Sequence, residues 1–433
     1  MTTHPMPADE YAALDAWIDA HFDEQVRFVQ ALVQVPTDTP PGDNAPHAVR
    51  TAELLAGFGF VAEQIVIPEA DARAHGLTSI TNLIVRRRYG GGGGQGAGLS
   101  VQGPIIALNA HGDVVPPGEG WTHDPYGGEI EDGKLYGRAA AVSKCDFSTF
   151  TFAVRALEAL AARRAVPLRG GIELQFTYDE EFGGELGPDW LLGHGLTRPD
   201  LAIAAGFSYQ IVTAHNGCLQ MEVTVHGEMA HAAIPESGID ALHGAVGILN
   251  ALYRQNTLYQ AVTSKVPGIT HPYLNIGLIE GGTNTNVVPG KVVFKLDRRM
   301  IPEEVPDEVE ADIRRVIAEA AAAFAADHPG FRVDIKRMLM AHPLKALPGN
   351  QPLVDALQKH GEIVFGQPIP TTGTPLYTDV RLYCERGVPA VIYGAGPRTV
   401  RESNAKRADE HIVLEDLRRA TKVVARTLLE LLG

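Results

Sequence analysis

Short apolar runs that alternate with stretches of helical periodicity constrain this chain most, because strands laid in a sheet with helices returning over its faces satisfy that alternation. The runs fall at residues 82–85, 105–109, 172–178, 201–205 and 388–393. Between the second and third, Phe147, Phe150, Val154, Leu157 and Leu160 recur at helical spacing, which predicts a crossover helix and hence a βαβ unit. From Cys218 the pattern changes to alternating strands in LQMEVTVHG, YLNIGLIEGG and KVVFKLDRR, with helices expected at 240–253 and 303–326. That mixture predicts an inserted α+β domain with an antiparallel sheet. Near Ala341 the chain returns to the first domain, which the VPAVIY strand and a helix over 413–432 complete. The expected fold is therefore an α/β domain with a mostly parallel central sheet flanked by helices, residues 1–216 and 341–433, interrupted by an inserted domain at 217–340. A length of 433 residues suits two hydrophobic cores better than one.

A formal net charge of −15 repels phosphate backbones and anionic membranes, so neither nucleic acid nor a membrane is expected as a partner. Arg86, Arg87 and Arg88 are the exception; ending the strand-like TNLIVRRRY before a glycine-rich stretch, they read as solvated charge at a hairpin. The stretch itself, YGGGGGQGAGLS at 89–100, lacks the lysine and hydroxyl of a phosphate loop and reads as a flexible hairpin tip. Cys145, Cys218 and Cys384 are too few and too scattered for a disulfide framework. The first residues are acidic and amphipathic (Leu14, Trp17, Ile18, Phe22), unlike a signal peptide, and no apolar run approaches the ~18 residues of a membrane span. A cytoplasmic location is expected.

Functional residues of open α/β sheets gather beyond the carboxyl ends of strands. His111 follows one such strand, Asp179, Glu180 and Glu181 follow a second, and Gly206 and Phe207 a third, so three strand ends converge on one crevice. His111 and Asp113 have the spacing of an imidazole held by a carboxylate behind it. Adjacent acids at a strand end can be helix-start residues favoured by the dipole. Followed by Gly183 and Gly184, however, Glu180 and Glu181 look like a carboxylate that takes a proton from water beside one that binds metal.

The motifs HGDVVP, GWTHDPYGG, DGKLYGR, YDEEFGGELG, GEMAHAAIPESGIDA, GGTNTNVVPGK and LDRRMIPEE, in this order, resemble the zinc aminoacylase and carboxypeptidase family of acetylornithine deacetylase, succinyl-diaminopimelate desuccinylase and carboxypeptidase G. The resemblance spans nearly the whole chain. It implies a catalytic α/β domain holding two zinc ions and an inserted lid that commonly forms a homodimer. Carried over by position, His111 would be a metal ligand, Asp113 its orienting partner, Glu180 the general base and Glu181 a ligand of the other metal. His231 would reach the neighbouring subunit's site and stabilise the oxyanion. Asn286 and Arg299 match substrate-binding positions, the arginine suited to a carboxylate; a structural ion pair between Arg299 and a lid acid is the alternative.

The chain departs from the family where metal is held. The family has an acid three residues beyond GRG, bridging both metals; here the run is Gly137-Arg138-Ala139-Ala140-Ala141-Val142, with Val142 at that place. No acid occurs between Asp200 and Glu222, where another ligand is expected, and the histidine expected four residues before Glu410 is Lys406. A register shift would make His411 or Asp146 a stand-in. His111 and Glu181 remain, too few for a four-coordinate zinc centre. One weakly held divalent metal or none is therefore expected, and no two-zinc centre. A lysine in the histidine's place would neutralise Glu181, with Lys144 assisting; both lysines are candidates to bind substrate. Cys145 sits at a helix start, where a thiol pKa falls, but with no base established by spacing it reads as a small buried residue. The expected activity is cleavage of an amide C–N bond in a small N-acyl amino acid or peptide-like carboxylate. A metal-free lyase or isomerase on a similar substrate and an inactive binding homologue are the alternatives.

Overall fold

The computed structural model describes residues 8–90 and 102–433, so most of the glycine-rich stretch lies outside the described residues. The chain divides into two compact units, one of Met1–Thr213, Ala346–Thr371 and Asp379–Gly433, the other of Ala214–Lys345 and Thr372–Thr378.

The first unit is built on a mixed sheet that is parallel through its centre. From one edge, its first six strands run in the order Ala62–Val66, Thr81–Tyr89, Gly170–Thr177, Ile105–His111, Leu201–Ala204 and Ala390–Ile392. Ile105–His111 has parallel neighbours on both sides, Ala107 lying opposite Glu173 and Ala202. Every residue of Gly170–Thr177 is buried, as expected of a strand covered on both faces. The crossover helix Lys144–Ala161 links these two strands and buries Phe147, Phe150, Phe152 and Leu157 in the same core as Val423, Val424 and Leu428 of the helix Leu414–Leu432. The sequence-expected N-terminal helix is broken at His21 into Ala8–Ala20 and Phe22–Val33.

Two expectations are corrected here. Thr81–Tyr89 and Ile105–His111 do not form a hairpin, because Gly170–Thr177 lies between them and pairs antiparallel with the former. Nor are Arg86, Arg87 and Arg88 free solvated charges: Arg86 and Arg88 pair with Glu173, Arg86 also with Glu63, and Arg87 with Glu158. The cause is topological, since the sheet order sets Glu173 on the adjacent strand opposite Arg86.

The second unit has a four-stranded antiparallel sheet in the order Tyr273–Gly281, Lys291–Met300, Gly217–His226 and Arg332–Ala341. Alternating residues Leu219, Met221, Val223 and Val225 are buried with Ile248 and Leu252 of the helix Ala241–Tyr259 and Ile313 and Ile317 of Pro306–Ala325. Each such side chain contributes about 1.5–3 kcal/mol by leaving water. Asp240 caps the first helix by accepting from the amides of Leu242 and His243. Among the described residues no helix is long and apolar enough to cross a membrane.

A candidate active site at the strand ends

The parallel register of the central strands sets their carboxyl ends side by side, and His111 occupies the end of the middle one. Ser143, preceding the crossover helix, ties that end down: its hydroxyl accepts from the His111 amide and donates to the His111 carbonyl, each at 2.9 Å. Gly112 is required sterically, since a Cβ there would collide with the Tyr178 ring. The chain then turns so that Asp113 faces back. His111 Nδ1 lies 3.0 Å from the Asp113 carbonyl oxygen and 3.4 Å from its Oδ1, while Asp113 Oδ2 accepts from the Glu181 amide at 2.9 Å. One buried carboxylate thus both faces the imidazole and fastens the neighbouring acidic turn.

That turn is a single 3-10 turn, Glu180–Phe182, at the end of Gly170–Thr177. Gly183 and Gly184 follow with φ of 104° and 78°, and a Cβ on Gly184 would collide with the Asp379 carboxylate, so glycine meets both the left-handed backbone and the close approach. Glu180 Oε2 lies 3.9 Å from His111 Nε2. Glu181 Oε2 instead accepts from the Lys406 ammonium at 2.6 Å, the two side chains being 10% and 54% exposed. Burial raises the Glu180 carboxyl to about 7, with Glu181 and Asp113 adding to the rise and His111 and Lys406 opposing it. Burial disfavours the charged form of His111, but Glu180, Asp113 and Glu181 outweigh it and lift the imidazole to about 10. Burial likewise opposes the Lys406 charge, and Glu181 and Glu180 more than restore it, raising its pKa.

Glu410 and Arg138 lie beneath this arrangement. Glu410 Oε2 accepts from Arg138 Nη1 at 2.5 Å and from the Lys406 amide at 3.3 Å, and its Oε1 accepts from the Ala141 amide at 3.2 Å. The carboxylate therefore joins the turn carrying Val142 to the turn carrying Lys406. Residue reasoning gave Glu410 no role, although its place in the C-terminal motif was a usable signal. Asp379 was missed altogether. It is buried behind the Glu180 turn, and burial followed by Asp179 and Glu180 raises its pKa well above the carboxylate range.

Each of the alternative donors has a partner of its own. Asp146 accepts from the Ala395 amide at 2.6 Å, and the His411 Nδ1 lies 2.9 Å from the Asp409 carbonyl with its ring beside Tyr136. In the place of the expected acid after Leu201–Ala204, the Ser208 hydroxyl donates to the Gly396 carbonyl. Lys144 is fully buried, its ammonium donating to the Val35 carbonyl at 2.8 Å rather than reaching Glu181. Burial drives its pKa down to about 7 against the pull of Asp38, Glu410 and Asp113. Cys145 is buried, and its pKa is pushed well above the usual thiol value by burial and by Asp146, the reverse of an activated nucleophile. Among the described residues no three His, Cys, Asp or Glu side chains are grouped to hold a metal ion. The donors that remain do not fit a zinc pair, because Val142 offers no lone pair and Glu181 is taken by an ammonium.

In the second unit, pairing of Ala230–His231 with Val287–Val288 brings two of the sequence motifs together. His231 is exposed and its Nδ1 accepts from the Ala233 amide at 3.1 Å, which leaves Nε2 to carry the proton. Exposed Asn286 sits at the start of the facing segment, its carbonyl accepting from the Ala232 amide. Arg299 donates through Nε to Asp297 Oδ1 at 2.7 Å and lies over the Tyr377 ring, so the ion pair raised as an alternative is present.

A discontinuous α/β unit with acidic residues at parallel strand ends, joined to a β-rich unit, is the architecture of a family of amide-cleaving hydrolases. The model of peptidase family M20/M25/M40 matches residues 107–430, and the chain belongs to that family, as a hydrolase of the M20 peptidase fold with a reduced set of metal donors. Succinyl-diaminopimelate desuccinylase of Methylorubrum extorquens is 27% identical over 423 residues, covering 92% of this chain and 96% of that relative. The enzyme of the same name from Acidiphilium cryptum is 30% identical over 314 residues, 70% of this chain and 75% of its own length. In fold, the chain is similar to an M20 family metallo-carboxypeptidase of Sulfolobus solfataricus, with a TM-score of 0.72, 18% identity and coverage of 94% and 99% of the two chains. An aminopeptidase of Bacillus cereus gives a TM-score of 0.68 at 22% identity, covering 95% and 98%.

Proposed function

We propose that the protein hydrolyses the amide bond of a small N-acyl amino acid or peptide-like carboxylate, with Glu180 as the acid-base residue. The desuccinylase relatives support this substrate class. The observation that carries the assignment is that, of Asp113, Glu180 and Glu181, Glu180 is the one whose carboxylate holds no hydrogen bond among the described residues. Asp113 holds the Glu181 amide and Glu181 holds Lys406, whereas among the described residues the Glu180 carboxylate meets His111 Nε2, and at 3.9 Å. Deprotonated, Glu180 takes a proton from water as the water oxygen adds to the carbonyl carbon, then returns it to the amine nitrogen as the C–N bond breaks. Asp113 orients His111 and the Glu180 turn. The Nε2–H of His231 is suited to donate to the developing oxyanion, supplied by a second copy of the chain in a homodimer formed through the inserted domain, which would then act as a lid on a catalytic domain of residues 1–216 and 341–433. Asn286, whose carbonyl accepts from the Ala232 amide next to His231, would serve as a substrate contact, and Arg299 would hold a substrate carboxylate only by leaving Asp297.

The ion pair between Lys406 and Glu181 favours a second reading, a lyase or isomerase in which Glu180 and Lys406 move protons without hydrolysis. The three cysteines are unpaired, which suits a cytoplasmic location. Turnover of an N-acyl amino acid panel, with and without chelator, decides between the readings. Hydrolysis that Glu180→Gln lowers by about 10²–10⁴-fold supports the assignment. Folded protein inert toward the whole panel refutes it.

A further inference from the structure

The donor set does not fit a metal pair, yet three acids crowd the crevice, and something must balance their charge. A nearly buried carboxylate without a partner costs several kcal/mol. The side chain that meets Glu181 is Lys406, and its placement is constrained from the backbone upward. Lys406 has a φ of 62°, a left-handed conformation that a side chain with a Cβ adopts at a cost. The turn around it repeats the feature, with φ of 53° at Asn404 and 55° at Asp409. Its amide is held by Glu410 Oε2 at 3.3 Å, and Glu410 is fixed by Arg138, both being almost wholly buried. From that anchored backbone the ammonium reaches Glu181 at 2.6 Å. The same Glu410 carboxylate holds Ala141, next to Val142, where a shared acidic ligand is lacking.

We propose that the site carries its cation covalently: the Lys406 ammonium takes the charge-compensating place of a metal beside Glu181, and Glu410, locked by Arg138, is the positioning residue that keeps it there. Divalent metal then competes with Lys406 for Glu181 and loses. The inference concerns the charge balance of the site and not its reaction, so it stands or falls separately from the hydrolase reading.

Equilibrium dialysis of chelator-stripped full-length protein against zinc, read by elemental analysis, tests it. Wild type is expected to bind zinc weakly, and Lys406→Met to bind it at least about tenfold more tightly, equivalent to about 1.4 kcal/mol. Glu410→Gln is expected to raise zinc affinity in the same direction, because it frees Lys406 without altering a donor. Should the unpaired Arg138 unfold that variant, Arg138→Met/Glu410→Gln removes both buried charges and reports the same quantity. Stoichiometric zinc in wild type, bound as tightly as in Lys406→Met, overturns the built-in cation. A folded Glu410 variant with unchanged zinc affinity overturns the positioning role, since a merely structural residue would shift stability and leave the affinity alone.

Discussion

Replacing Lys144 with methionine should flatten the pH dependence of stability above neutrality, and the size of the effect follows from where the lysine sits. Its side chain is fully buried, the ammonium donating to the Val35 carbonyl, and burial lowers its pKa from 10.5 to about 7 despite Asp38, Glu410 and Asp113 nearby. Between these two values the unfolded chain carries the proton and the folded chain increasingly does not. The unfolded state binds more protons there, so stability rises with pH through that window and is constant below it. At about 1.4 kcal/mol per pH unit, less the half-titration at the lower end, Lys144 contributes a gain of about 2 kcal/mol between pH 7 and pH 9. Methionine preserves most of the volume and removes the proton equilibrium. Urea unfolding of both proteins at pH 7, 8 and 9 reads the difference. Equal slopes for wild type and Lys144→Met would show that Lys144 titrates normally and that its burial is not what the packing implies.

The other predictions are independent of it. A double-mutant cycle of Lys406→Met and Glu181→Gln should return a coupling of about 1 kcal/mol in urea unfolding, above the floor for a surface pair because Glu181 is nearly buried but limited by the exposure of Lys406; zero coupling would mean the pair does not form. If the protein is the hydrolase proposed, its kcat/KM should climb with pH through an apparent pKa near 7, because burial raises the Glu180 carboxyl to about 7 and only the ionised form accepts a proton; a flat profile would remove Glu180 as the base. Ala139 has a φ of 68°, so Ala139→Gly should be more stable than Ala140→Gly by about 1–2 kcal/mol, both alanines being buried; equal thermal stabilities would show no strain there.

Residue pattern alone determined the α/β class, the inserted antiparallel unit and the convergence of His111, Glu180 and Glu181, because burial on two faces writes continuous apolar runs and burial on one face writes alternation. Substitution at Val142 and Lys406 was equally visible, since a ligand is a residue type at a position. What the sequence left open depended on neighbours distant in the chain. The sheet order that separates Thr81–Tyr89 from Ile105–His111, and so pairs the three arginines with Glu158 and Glu173, is a property of the packed sheet and not of any local pattern. Lys144 and Lys406 look alike as letters, both near a vacated ligand, yet one is sealed against Val35 and the other meets Glu181. Glu410 acquires its role only when folding brings the 137–142 turn beneath the 404–409 turn, because a carboxylate's partners are chosen by distance in space, which sequence separation does not encode.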